Sequence, residues 1–175
     1  MRVLAPQVRQ AVPGDAATIA RVQILTWQRT YRGILPDGFL DALDAERSAE
    51  SWRAVVADRR RVTFLVEAPR VLGFCTAGPS RGEPDVYRGE IEAIYVHPEE
   101  QGRGHGTSLL RAAMGWLAVR DLTPVVVWAL EANTPAHRFY ESLGARRLDT
   151  RLLRIAEALY PEVGFGWPEG GFTAS

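Results

Sequence analysis

Glu90-Ile-Glu-Ala-Ile-Tyr-Val96, His97-Pro-Glu-Glu-Gln-Gly-Arg-Gly-His-Gly-Thr107 and Ser108-Leu-Leu-Arg-Ala-Ala-Met-Gly-Trp116 follow one another without interruption. The first piece reads as a short apolar strand, the second as a glycine-rich turn and the third as a helix. Gly102, Gly104 and Gly106 fall where the strand hands over to the helix, so successive backbone N–H groups can turn toward one point with no Cβ in the way. Unpaired N–H groups at a helix start, together with the positive end of the helix dipole, favour an anion there. The stretch therefore has the makings of a phosphate cradle.

Upstream, Gln7 to Val12 reads as a first strand that stops at Pro13-Gly14, after which Asp15 can cap a helix. Ala16, Ala20, Ile24, Trp27 and Tyr31 recur at helical spacing and place one apolar face on it. Gly33 to Gly38 breaks the pattern. Phe39, Leu40 and Leu43, then Trp52, Val55 and Val56, mark two short amphipathic helices. Val62 to Val66 and Val71 to Thr76, joined through Ala68-Pro69-Arg70, read as a hairpin, and Gly78 to Gly89, with Pro84, reads as a polar loop.

Downstream, Val125 to Leu130 is a continuous apolar run suited to a strand covered on both faces. Asn133-Thr134-Pro135 opens a helix whose apolar face is Ala136, Phe139, Tyr140 and Leu143, and Gly144 ends it. Arg146 to Ile155 and Tyr160 to Trp167 are read as a final pair of strands, the second weakened by Pro161, Gly164 and Gly166, with 170–175 as a loose tail. The order describes a single mixed α/β domain over 1–175.

Composition removes several classes of function. The chain has 175 residues and 46% hydrophobic content, enough for a core without disulfides or a metal. Its 21 basic and 21 acidic residues cancel, so no general pull toward nucleic acid or an anionic membrane is built in. Every basic residue other than histidine is arginine, which excludes lysine chemistry. Cys75 is alone and His97, His105 and His137 lack ligand-like spacing, so no metal is expected. Neither Met1-Arg-Val-Leu4 nor any later stretch has the apolar run of a signal peptide or membrane span, and a soluble cytoplasmic protein is expected.

Two familiar phosphate loops fail against residues 101 to 107. The dinucleotide fingerprint needs a third glycine where Thr107 stands, and a P-loop needs a lysine. The segment resembles the acyl-CoA loop of the GNAT superfamily of N-acetyltransferases, Gln/Arg-x-x-Gly-x-Gly/Ala, through Gln101-Gly-Arg-Gly104-His-Gly106. Ile94-Tyr-Val96 with Pro98, Asn133, Phe139-Tyr140-Glu-Ser-Leu-Gly144 and Trp27-Gln-Arg-Thr-Tyr31-Arg-Gly-Ile-Leu-Pro36 extend the resemblance over about residues 7 to 155. His105 stands where an aliphatic is usual and Ala145 where a phenylalanine is common.

The resemblance implies a central, mostly antiparallel twisted sheet of six to seven strands, splayed at its centre and flanked by about four helices. It implies acetyl-CoA as cosubstrate and an acetyl group passed to a primary amine of a small molecule or peptide, with homodimers common among members. Cofactor contacts are implied for Ile94, Tyr95, Val96, Gln101, Gly102, Arg103, Gly104, His105, Gly106, Thr107, Asn133 and Tyr140. Tyr140 takes the general-acid position, and Glu90 aligns with the catalytic glutamate of the histone-acetylating branch. Glu92 lies on the same strand face as Glu90 by two-residue periodicity, and Glu131 is a third acid nearby. Trp27, Tyr31, Phe39 and the loop from Gly78 to Gly89 are implied on the acceptor side.

Structural roles remain open beside these. Asn133 can be a helix cap, Tyr140, Trp27 and Tyr31 core aromatics, and the two glutamates partners of Arg81 or Arg88. The alternative function is a catalytically inactive acyl-CoA-binding regulatory module.

Overall fold

The computed structural model describes residues 5–82 and 86–173. Met1 to Leu4, Pro84 in the acceptor-side loop and the last two residues of the expected tail lie outside the described residues. Seven strands and five helices follow the chain in the order β1 Gln7–Gln10, α1 Ala16–Thr30, α2 Asp37–Asp41, α3 Ala45–Ala57, β2 Val62–Glu67, β3 Val71–Pro79, β4 Gly89–Val96, α4 His105–Ala118, β5 Val125–Leu130, α5 Thr134–Ser142, β6 Arg146–Ile155 and β7 Ala158–Trp167. A 3-10 turn at Pro98–Glu100 joins β4 to the glycine loop.

One sheet holds all seven strands in the order β1-β2-β3-β4-β5-β7-β6. Every neighbouring pair is antiparallel except β4 and β5, which are parallel. That central pair is also the shortest contact in the middle of the sheet, with only Gly89, Glu90 and Ile91 meeting Val125, Val126 and Val127. Beyond them each strand stays bonded on its outer side, β4 to β3 as far as Val96 and β5 to β7 as far as Leu130. The two halves of the sheet thus part in a V.

A β-bulge shapes one arm of the V. Thr76 faces Ala93 while Ala77 faces Ile91, so Glu92 is the extra residue. After it the alternation is displaced: Ala93 and Tyr95 pack with α1 and α3, whereas Ile94 and Val96 turn toward the α4 side.

The α4 side carries the larger core, in which Leu109, Leu110, Ala113 and Leu117 pack on Ile91, Val125, Val127, Val163 and Phe165. On the other side Ala16, Ile19, Ala20 and Val22 of α1 meet Ala49 and Trp52 of α3 over Leu65 and Phe74. The stripe expected on α1 is therefore broader than a four-residue spacing traced, because the helix touches both the sheet and α3; Ile24 and Trp27 are only half-buried on its flank.

Three further differences have local causes. α4 begins at His105, three residues before the expected start, since Gly104 at φ +82 serves as its N-cap. β7 is a full strand despite its two glycines, because it is paired on both sides, to β5 and β6, and the glycines stand where a side chain has no room: a Cβ at Gly164 meets the Trp128 ring at 3.1 Å, and one at Gly166 collides with the Tyr87 phenol. The tail expected to be loose is packed as far as Thr173, with Phe172 edge-on to Trp167 at 6.4 Å and the Thr173 amide donating to the Leu143 carbonyl at 3.1 Å.

Candidate active site

The V between β4 and β5 opens into a cavity of about 710 Å³. Its floor is Ile91 and Val127, where strand pairing stops, and its walls run up β4 through Val96 and up β5 through Ala129. Gln101, Gly102, Gly104, Gly106 and Thr107 line the mouth, and Asn133, Phe139 and Tyr140 line the α5 side. Thr26, Arg29, Thr30 and Tyr31 from the end of α1 close it from above.

The glycines of the loop serve two purposes. Gly102 at φ +76 and Gly104 at φ +82 occupy left-handed conformations, and a Cβ on either meets nothing within 4 Å. Open space above a run of backbone amides fits a phosphate group. Gly106 is different, because a Cβ there lies 3.0 Å from Phe139 Cζ, so its smallness lets α4 and α5 approach. Ser108 N bonds to Gly104 O at 3.0 Å, the first rung of α4, which leaves the amides of His105, Gly106 and Thr107 without intrahelical acceptors. The Gln101 side chain ties the loop to β4 by donating to Val96 O at 3.1 Å. Arg103 and His105 do not line the cavity: Arg103 pairs with Glu100 at 3.2 Å, and the buried His105 ring lies 3.9 Å from the same carboxylate.

Tyr140 is buried on the α5 wall, ringed by Phe139, Phe165 and Trp167. Burial holds its phenol well above the ordinary tyrosine range, so it stays protonated at any physiological pH. Asn133 caps α5, its Oδ1 accepting from Ala136 N at 3.4 Å, and its Nδ2 reaches the Tyr31 hydroxyl at 3.4 Å. The cap and the cavity contact are thus carried by one side chain.

The two strand glutamates differ. Glu90 is fully buried and does not line the cavity; it accepts from the Arg81 amide at 2.9 Å and from the Arg81 guanidinium. Glu92 lines the cavity and pairs with Arg61 at 2.9 Å, with Arg81 farther off at 3.9 Å. Burial raises its carboxyl above the usual range, partly offset by Arg61 and Arg81 and reinforced by Glu90. Arg81 therefore holds both acids on one face. Glu131 is half-exposed, lies 3.8 Å from Arg147 and is not part of this cavity.

On the acceptor side Tyr31 lines the cavity, whereas Trp27 and Phe39 pack beside it as a cluster, Trp27 standing 5.3 Å from the Tyr31 ring and 6.4 Å from Phe39. Trp128 belongs to the cavity, with Arg151 stacked 3.8 Å over its ring, and the buried Glu162 pairs with that arginine. Sequence reading missed Trp128 because it sits in an unbroken apolar run. Glu162 carried a signal, as the one charge between Tyr160 and Trp167.

The sequence pattern of the acetyltransferase (GNAT) family matches residues 23–145, which span both arms of the V, the glycine loop and Tyr140. The chain belongs to the GNAT acetyltransferase family. A relative along nearly its whole length is the uncharacterized N-acetyltransferase YuaI of Bacillus subtilis, 32% identical over 164 residues that cover 93% of this chain and 92% of that one. A mycothiol acetyltransferase of Kocuria rhizophila is 36% identical over 107 residues, which are 58% of this chain and 34% of that protein, so the likeness spans about a third of its length. Among solved structures, yncA of Salmonella typhimurium, a putative acetyltransferase with its cofactor acetyl-CoA, superimposes with a TM-score of 0.72 at 19% identity over 98% of both chains.

As a GNAT member the chain is an acetyl-CoA-dependent acetyltransferase. The GNAT sheet is the one described, with its splayed centre between the glycine loop and Tyr140.

Proposed function

We propose that this chain transfers the acetyl group to a primary amine of a small molecule by direct attack within a ternary complex. The observation that carries the reading is that one cavity contains the glycine loop, the unpaired arm of β4, the protonated Tyr140 and the one strand glutamate with a raised carboxyl, Glu92. The likeness to a mycothiol acetyltransferase supports a small-molecule acceptor.

When bound, acetyl-CoA supplies the activated acetyl group. The amides of Gly102 to Thr107 hold its pyrophosphate, and the β4 backbone from Ile94 through Tyr95 to Val96 offers hydrogen bonds to the pantetheine arm, one N–H doubling as a donor to the carbonyl under attack. Glu92 draws a proton from the acceptor ammonium, directly or through a water, since an amine must be neutral to attack. Its carboxyl lies nearer neutrality than an exposed one, which suits a base. Tyr140 gives its proton to the departing sulfur. Glu90 and Arg81 fix the strand end and the position of Glu92. Cys75 takes no part: it is fully buried and burial pushes its thiol far up, so no thiolate is present to carry the acetyl group.

Thermal unfolding with acetyl-CoA, CoA, NAD and ATP added separately tests the cofactor half. A ligand at 100 times its dissociation constant adds about 2.7 kcal/mol, a shift of roughly 5 to 10 °C for a chain this size. Shifts with the first two alone are expected; equal shifts with NAD or ATP would sink the assignment of the loop. Release of free thiol with a panel of small amines, polyamines and peptide N-termini tests the acceptor half. Turnover on a small amine is expected, and tight binding with no turnover on any amine returns the inactive module.

A further inference from the structure

The cavity wall holds two acidic side chains, Glu92 and Glu100, against one basic side chain among the described residues, Arg29. Coenzyme A brings several negative charges to the mouth of that cavity, and the glycine loop meets them with uncharged amides. Its own arginine is already engaged, since Arg103 pairs with Glu100 at 3.2 Å and lies off the cavity wall. Glu100 is further compensated by Arg70 at 3.3 Å.

Arg29 is in another position. It stands in the last turn of α1, is exposed, and makes no ion pair or hydrogen bond among the described residues. α1 packs on the 3-10 turn Pro98–Glu100 that leads into the loop, and Thr26, Arg29 and Thr30 share the cavity with Gln101, Gly102 and Thr107. Arg29 thus lines the same cavity as the loop, on the helix that packs against the turn leading into it.

The geometry points to Arg29 as a phosphate-contacting residue for the coenzyme, closing on it from α1 while the loop amides hold the other side. The inference rests on the loop's taking the pyrophosphate. A guanidinium offers paired N–H donors to phosphate oxygens, and such charge-assisted bonds are among the stronger ones available. Pyrophosphate and 3′-phosphate share this chemistry.

Calorimetric titration of the full chain with CoA, dephospho-CoA and pantetheine separates the cases. Binding of CoA by the unaltered chain tests the loop itself. Arg29→Gln is then expected to weaken CoA at least tenfold, leave pantetheine unchanged and flatten the salt dependence of CoA binding, with Arg29→Lys recovering part of the loss. An equal loss with dephospho-CoA identifies the pyrophosphate, and a loss confined to CoA identifies the 3′-phosphate; both uphold the contact. Unchanged CoA affinity, or an equal loss with pantetheine, overturns it, and a rise only in the acceptor's KM assigns Arg29 to an anion on the acceptor instead. Arg53→Gln, on the exposed face of α3 and away from the cavity, serves as the control and should bind all three as before.

Discussion

Tyr140 and Glu92 face one cavity, yet their surroundings push them toward opposite tasks. Burial favours the neutral form of both, which keeps a proton on the phenol over the whole working range and raises the carboxyl above its usual range, as the proposed acid and base require. Tyr140→Phe keeps every ring contact and removes only the hydroxyl, so kcat should fall by about 10²-fold with the unfolding midpoint little changed. A variant that turns over normally would mean that Tyr140 is a core aromatic only. For Glu92 the pH dependence has a definite sign. A carboxyl raised in the folded state contributes its stability below the unfolded value and loses it as pH rises through the folded value. The midpoint of Glu92→Gln relative to the parent should therefore climb as pH rises from the ordinary carboxylate range through the raised folded value, while the acidic limb of its rate profile disappears. A constant difference across that range would contradict the raised carboxyl. Arg61 also lies 3.8 Å from Asp58, so the substitution does not leave it without an acid.

At the scale of elements, the loop glycines make separable demands. Gly104→Ala meets open space but keeps a left-handed φ of +82, at a cost of roughly 1 to 2 kcal/mol. Gly106→Ala meets Phe139 at 3.0 Å, and the expected loss of about 1 to 3 kcal/mol comes from overpacking between α4 and α5. Urea midpoints distinguish the two, because trimming Phe139 to leucine should rescue the second and not the first. Rescue of both would show that the clash is not the cause. The elements themselves were largely legible: β5 falls where its apolar run placed it, and β6 and β7 lie close to the expected final pair. What could not be read was pairing. Nothing in Glu90 to Val96 announces a bulge at Glu92, because a bulge is set by the partner strand, and β7 looked doubtful because the rings its glycines admit, Trp128 and Tyr87, lie far away in sequence. The loop and Tyr140 were visible through local motifs. Trp128 and Arg29 were not, since each reaches the cavity only through tertiary packing, and Glu162 stood out only as a lone charge in an apolar run.

Across the whole molecule, the division of labour follows the two faces of the sheet. One face carries α4 and the larger core; the other carries α1 and α3, with the Glu92, Arg81 and Arg61 cluster beside them. No helix among the described residues is long and apolar enough to cross a membrane. The parting of β4 from β5 has a further consequence. A sheet normally has two raw edges, and those are where foreign strands add and chains aggregate. This sheet has four, two of them facing each other inside the cavity, roofed by the end of α1. An extended molecule carrying amides can stand between them as an eighth strand that belongs to no polypeptide, so the pantetheine arm can also act as a temporary seam between two half-sheets.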